Sequence, residues 1–208
     1  MAKRVIDDAD LTVVADAIRG YTQKAGLLVF PDEVVSGVND VFQAGKAAAE
    51  QENDAVFSYT NEKMTEVAPY GFYNSKLRRI SLPALTNATG GSVFQKCENL
   101  LRVDLPAYAN TSRGSLFDGD IHLQVVDFGN VTAISKKAFN RCYELSDVIL
   151  RNQDMVTLSD VSAFDKVACA TMYVPIELID EYEGATNWSL LFEQGVVKFT
   201  ELEGSVYG

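Results

Sequence analysis

Five phenylalanines recur along this chain at an almost constant interval, and each opens the same apolar phrase. They are Phe72, Phe94, Phe117, Phe139 and Phe164. Five or six residues behind the first four comes a leucine: Leu77, Leu100, Leu123, Leu145. A β-branched residue follows three later (Ile80, Val103, Val126, Val148), and an apolar residue two after that (Leu82, Leu105, Phe128, Leu150). A period of about 22 residues falls in the range of solenoids and other repeat arrays, where stacked units bury a face that none could bury alone.

The phrase Leu100-Leu101-Arg102-Val103-Asp104-Leu105-Pro106 shows how one unit works. Alternation from Val103 to Leu105 has period two and predicts a short strand, and Pro106, like Pro83, ends it by withholding a ladder donor. Small or polar triplets precede the anchors: Gly90-Gly91-Ser92, Arg113-Gly114-Ser115 and Ser135-Lys136-Lys137. They predict a tight turn feeding a short helical or irregular stretch that carries the phenylalanine inward. Five stacked strands about 4.8 Å apart would span only about 20 Å, so both ends of the array need caps.

At 208 residues and 47% hydrophobic content the chain can bury a substantial core. Its net charge of −11 repels polyanions, so no nucleic-acid partner is expected. No stretch approaches the roughly 18 apolar residues of a bilayer span, and no membrane insertion is expected. Met1 to Asp8 holds a basic pair without an apolar run behind it, so no secretory signal is read there. The three cysteines show no Cys-x-x-Cys spacing and fit neither a disulfide framework nor a zinc site.

The phrases Val93-Phe94-Gln95-Lys96-Cys97-Glu98-Asn99-Leu100-Leu101-Arg102-Val103-Asp104-Leu105-Pro106 and Ile134 to Leu150 resemble the BspA-type leucine-rich repeat over roughly residues 64–175. That family's unit reads approximately Ile-Gly-x-x-Ala-Phe-x-x-Cys-x-x-Leu-x-x-Val-x-Leu-Pro. Ser75 and Asp120 stand in its cysteine slot, and Phe128-Gly129 replaces Leu-Pro. In the fifth unit Phe164, Cys169, Met172, Val174 and Pro175 keep the offsets of the first. The resemblance places Cys97 and Cys142 in the cysteine slot and Cys169 in the leucine slot, which implies that all three are small buried hydrophobes. After Pro175 a helix from Ile176, a turn at Asn187-Trp188-Ser189 and a strand at Val196-Val197-Lys198-Phe199 read as a C-terminal cap with Trp188 over the last rung. Arrays in this family often end similarly.

Residues 10–44 read as two short helices. Asp10 caps the first, with Leu11, Val14, Ala15 and Ile18 at helical spacing. Pro31 opens the second, with Asp32 and Glu33 in its first turn and Val34, Val35, Val38, Val41 and Phe42 as its apolar stripe. Residues 44–53 continue as an exposed helical connector. Asp10 to Arg19, followed by Leu28-Val29-Phe30-Pro31-Asp32, is similar to the opening of many tail and baseplate-associated proteins of phages and prophages of Gram-positive bacteria.

No catalytic constellation emerges. The single histidine, His122, precedes the core residue Leu123 and should point outward, tied to no nucleophile. No phosphate loop is present, Gly90-Gly91 reads as a turn, and Asp118-Gly119-Asp120 reads as a solvated turn. No catalytic, metal or cofactor residues are nominated and no cofactor is expected. Candidate binding residues are the outward ones between core positions of the strands: Arg79 and Ser81, Arg102 and Asp104, Val125 and Asp127, Asp147 and Ile149, Thr171 and Tyr173. Of these Arg79, Arg102, Asp104, Asp127, Asp147 and Tyr173 are nominated. Arginines and aspartates on neighbouring strands can pair with each other, the plainer structural role, or present a polar face to protein or glycan.

The expected fold is an α/β repeat: a short leucine-rich-repeat solenoid of about five rungs of some 22 residues, with an N-terminal helical hairpin and a C-terminal cap. The expected division is 1–60 for attachment or oligomerisation, 61–175 for the solenoid and 176–208 for the cap. Together the two resemblances imply a non-enzymatic structural and binding protein of a phage or prophage particle. It would reside in the virion, self-associate and meet other virion proteins through the helices, and contact a host receptor protein or glycan. The alternative is a bacterial leucine-rich-repeat, adhesin-like binding module at the cell surface.

Overall fold

The computed structural model describes residues 57–109 and 114–202. The helices expected over 10–44 and their connector lie outside that range. The chain divides after Gln51, and the described residues belong to the second unit, Glu52–Gly208.

One strand per unit builds the sheet: β1 (Ser58–Thr60), β3 (Arg79–Ser81), β5 (Arg102–Leu105), β6 (Val125–Phe128), β8 (Asp147–Leu150), β10 (Ala170–Val174) and β11 (Val197–Glu201). They pair in that order as a seven-stranded sheet with every pairing parallel. Tyr59, Ile80, Val103, Val126, Val148, Met172 and Phe199 occupy one row across it, which is the register that the phenylalanine spacing demands. On the return leg two smaller parallel pairs form, β2 (Glu66–Val67) with β4 (Asn87–Ala88) and β7 (Ala133–Ile134) with β9 (Thr157–Leu158). Five strands follow the phenylalanine anchors, and the sheet adds β1 ahead of them and β11 behind them.

The anchors stack into one column. Ring centroids of Phe72, Phe94, Phe117 and Phe139 are 5.4, 5.3 and 5.5 Å apart, with planes within 15° of parallel. Tyr59 extends the column at one end, and Phe164 followed by Trp188 at the other. The backbone repeats too: Phe72, Phe94, Phe117 and Phe139 each donate an N–H to the residue just ahead of the next anchor, Val93, Leu116, Ala138 and Ala163. The turns around each anchor need left-handed backbone. Residues two before the first four anchors (Tyr70, Ser92, Ser115, Lys137) have positive φ, as do Asn74, Lys96, Gly119, Arg141 and Lys166 two after each of the five.

Beyond Pro175 lie helix α1 (Ile179–Gly184), helix α2 (Trp188–Glu193) and β11. Trp188 is fully buried, packs on Phe164 and Tyr182, and donates Nε1–H to the Val156 carbonyl at 2.7 Å. Tyr182 Oη accepts the Val156 N–H at 2.8 Å, so two aromatic side chains engage both polar groups of one peptide segment.

Sequence expectations fail at Cys169 and at Asp118-Gly119-Asp120. Cys97 and Cys142 are buried, but Cys169 is exposed. Val167 takes the position three after Phe164, and β10 begins at Ala170, so the shortened last unit leaves Cys169 in the turn. Asp118-Gly119-Asp120 is not a solvated turn either, since Asp118 and Asp120 are 6% and 0% exposed. Asp118 accepts hydrogen bonds from Gln95 in the preceding unit and from Asn140 and Arg141 in the next, a polar clamp across three rungs. Asp120 fills the cysteine slot: its Oδ1 accepts the Cys97 N–H at 2.8 Å while its Oδ2 is buried without a hydrogen-bond partner. Burial, aided by Asp118, pushes its carboxyl up to about 9. Burial first, then the neighbouring Asp120, raises the thiols as well, that of Cys97 to about 12.

Candidate functional site: a polar groove on the parallel sheet

Because the repeat register is exact, outward residues of successive strands fall into rows. One row runs Arg79, Arg102, Val125, Asp147, Thr171, and the next runs Ser81, Asp104, Asp127, Ile149, Tyr173. Near the first strands these rows frame a groove of about 580 Å³ lined by Arg79, Ser81, Arg102, Asp104, Pro106, Asp127 and Arg151. Four of the six nominated residues therefore meet there: Arg79, Arg102, Asp104 and Asp127. Asp147 and Tyr173 lie on later strands and do not line it; Asp147 instead accepts from the Ser146 hydroxyl at 2.7 Å.

The arginines and aspartates pair both within a strand and between neighbouring units. Arg102 bonds Asp104 on its own strand, with Nε and Nη2 both 2.8 Å from Oδ1. Asp127 is matched by Arg151, whose Nε and Nη2 reach the two carboxylate oxygens at 3.0 and 2.7 Å. That fork-to-carboxylate geometry is the strong form of the interaction, and it raises the Arg151 guanidinium above its ordinary range. Asp127 is only 6% exposed, so an unpaired carboxylate there would carry a heavy desolvation cost. Ile149, expected to face outward with it, is fully buried.

Arg151 was not among the nominated residues. It follows Leu150 where earlier units carry Pro83, Pro106 and Gly129, so the register held a signal: a cation in the slot that ends the strand. Three guanidiniums and two carboxylates give the groove a local excess of one positive charge, on a chain whose net charge is −11. Paired arginines are held in place by their carboxylates, and such anchors suit carbonyl and carboxylate acceptors on a partner surface. His122, for its part, is exposed as expected, with Nδ1 2.7 Å from Glu144 Oε1.

A parallel sheet with one strand per unit, an aromatic column behind it and a polar outward face defines a leucine-rich-repeat scaffold. The chain belongs to the BspA-type leucine-rich-repeat family, whose model matches six copies over residues 59–183. The count is thus six units where the phenylalanines alone mark five. Among solved structures it is similar to a leucine rich cell surface protein from Faecalibacterium prausnitzii A2-165, at 15% identity and a TM-score of 0.48, over 70% of this chain. This chain spans 36% of that one. A search of curated proteins returned no match.

Proposed function

We propose that this chain is a non-catalytic recognition module, adhesin-like in role, that engages a protein partner through the sheet-face groove. The observation that carries the reading is the set of arginines held against Asp104 and Asp127 on adjacent strands of the repeat sheet. Arginines fixed in this way contribute at interfaces with little further loss of side-chain freedom on binding. The test is binding of the purified chain to a panel of immobilised extracellular proteins. Arg79→Glu and Arg102→Glu should each weaken the strongest interaction at least tenfold in chains that remain folded at the assay temperature. Equal binding by wild type and both variants would contradict the assignment.

A second reading, a component of a phage or prophage particle, is favoured by one observation: the segment Asp10 to Asp32, with its similarity to tail-associated proteins. Co-sedimentation of the full chain with purified particles, lost on deletion of residues 1–50, would support it.

A further inference from the structure

The seven-stranded sheet ends at β11, and among the described residues only β10 pairs with it. Ala170 donates its N–H to the Val196 carbonyl at 2.9 Å, and Leu202 donates its own to the Val174 carbonyl at 2.8 Å. Backbone groups alternate in direction along a strand, so Val196, Lys198, Thr200 and Leu202 direct theirs at β10. Val197, Phe199 and Glu201 turn theirs to the opposite edge. Val197 is buried, which leaves the N–H and C=O of Phe199 and Glu201 at an open rim. A strand edge of this kind is a template for another strand, and neither proline nor bulge interrupts the five paired residues of β11.

The surroundings of that rim say what it would take. Trp188 and Leu191 of α2 are buried and close the core, whereas Phe192 of the same helix is 37% exposed, its ring 6.0 Å from that of the half-buried Phe199. Two aromatic rings therefore stand at the edge on the inward side of the sheet. Lys198 is on the other side, in the outward row beside Thr171. Over residues 176–202 six carboxylates (Glu177, Asp180, Glu181, Glu183, Glu193 and Glu201) face one cation, Lys198. Such a field repels a second copy docking cap to cap and attracts a cationic segment. Main-chain bonds to an open edge supply affinity, and the flanking side chains choose the sequence.

We infer that the open edge of β11 takes up an extended, basic segment of a partner protein as an eighth strand. Apolar residues at alternate positions of that segment pack against Phe192 and Phe199, and its cations are drawn to the carboxylates of the cap. This edge is separate from the sheet-face groove and does not depend on recognition there.

Fluorescence anisotropy of the full chain tests it with three labelled peptides: one alternating valine and lysine, the same peptide N-methylated throughout its backbone, and one alternating valine and glutamate. The valine–lysine peptide is expected to bind and to slow amide hydrogen exchange at Phe199 and Glu201 at least tenfold. N-methylation, which removes the donors of the added strand, should weaken binding at least tenfold, as should replacing lysine by glutamate. Glu201→Pro deletes an edge N–H without deleting a bond to β10, and Phe192→Ser removes an exposed ring outside the sheet; each should weaken binding at least tenfold. Arg151→Glu, in the sheet-face groove, should leave it unchanged. The inference is overturned if the valine–lysine peptide does not bind, if the methylated or acidic peptide binds as well, or if the amides of Phe199 and Glu201 exchange as fast in the complex. It is equally overturned if the chain alone is a dimer that Glu201→Pro dissociates, because the edge then holds a second copy.

Discussion

Asp120 is the residue at which this repeat departs most sharply from its own pattern. Cys97 and Cys142 occupy the same slot one unit to either side, and each donates its thiol hydrogen to the carbonyl of an anchor, Phe72 or Phe117. Asp120 can behave similarly only while protonated, and its carboxyl is pushed from an ordinary 3.8 up to about 9. The folded chain therefore holds one proton more than the unfolded chain between about pH 4 and about pH 9. Stability is greatest below that window and falls as pH rises through it, with a slope of at most about 1.4 kcal/mol per pH unit for one proton. Asp120→Asn keeps the Oδ1 acceptor for Cys97 and removes the titration. It should be more stable than wild type at pH 8 and flatten the slope, as measured by urea unfolding at several pH values. At the anchors, Phe117→Ala removes a fully buried ring from the middle of the column and should cost about 3–5 kcal/mol in the same assay.

Turns and strands form the next scale. Phe128-Gly129 stands where the two preceding units carry Leu-Pro, and the glycine is needed there: a Cβ on Gly129 would lie 1.6 Å from the Pro106 carbonyl oxygen. Gly129→Ala must push two units apart and should destabilise by about 3 kcal/mol, at the upper end of overpacking effects. At Lys166 the opposite holds. It adopts φ 71°, so Lys166→Gly should raise stability by up to about 1 kcal/mol, read from the thermal midpoint. Strand positions, register and the inward row were legible in the sequence, because period two inside a period near 22 admits one alignment. Left-handed turns occupied by lysine, tyrosine and arginine were not, since those side chains carry no local signal for positive φ. The burial of Asp118 was equally hidden, since its partners Gln95, Asn140 and Arg141 stand in the units before and after it.

For the molecule as a whole, the phenylalanine column explains why so short an array holds together. Every unit from Tyr59 to Trp188 touches the next through an aromatic contact, so the core is one continuous stack along the sheet. Trp188→Ala should open the C-terminal end, costing about 3–5 kcal/mol and raising hydrogen exchange first in β10 and β11. The sheet-face site was half legible. Alternation exposed Arg79, Arg102, Asp104 and Asp127, but the cation that completes the groove, Arg151, comes from outside the strand and meets Asp127 across 24 residues of chain. Asp147 and Tyr173 do not line the groove, because outward alternation names a face without saying where that face is hollow.

On the proposed reading, the paired arginines of the sheet face recognise a partner and do not serve the fold alone. Exchanging one pair separates the two roles. The double variant Arg102→Asp with Asp104→Arg keeps the charge and the ion pair of β5 but moves its guanidinium two residues, about 7 Å, along the strand. Its affinity for the partner selected from the panel, measured beside its unfolding midpoint, is the direct test. An unchanged midpoint with at least tenfold weaker binding is expected, and wild-type affinity in the exchanged variant would overturn the recognition role.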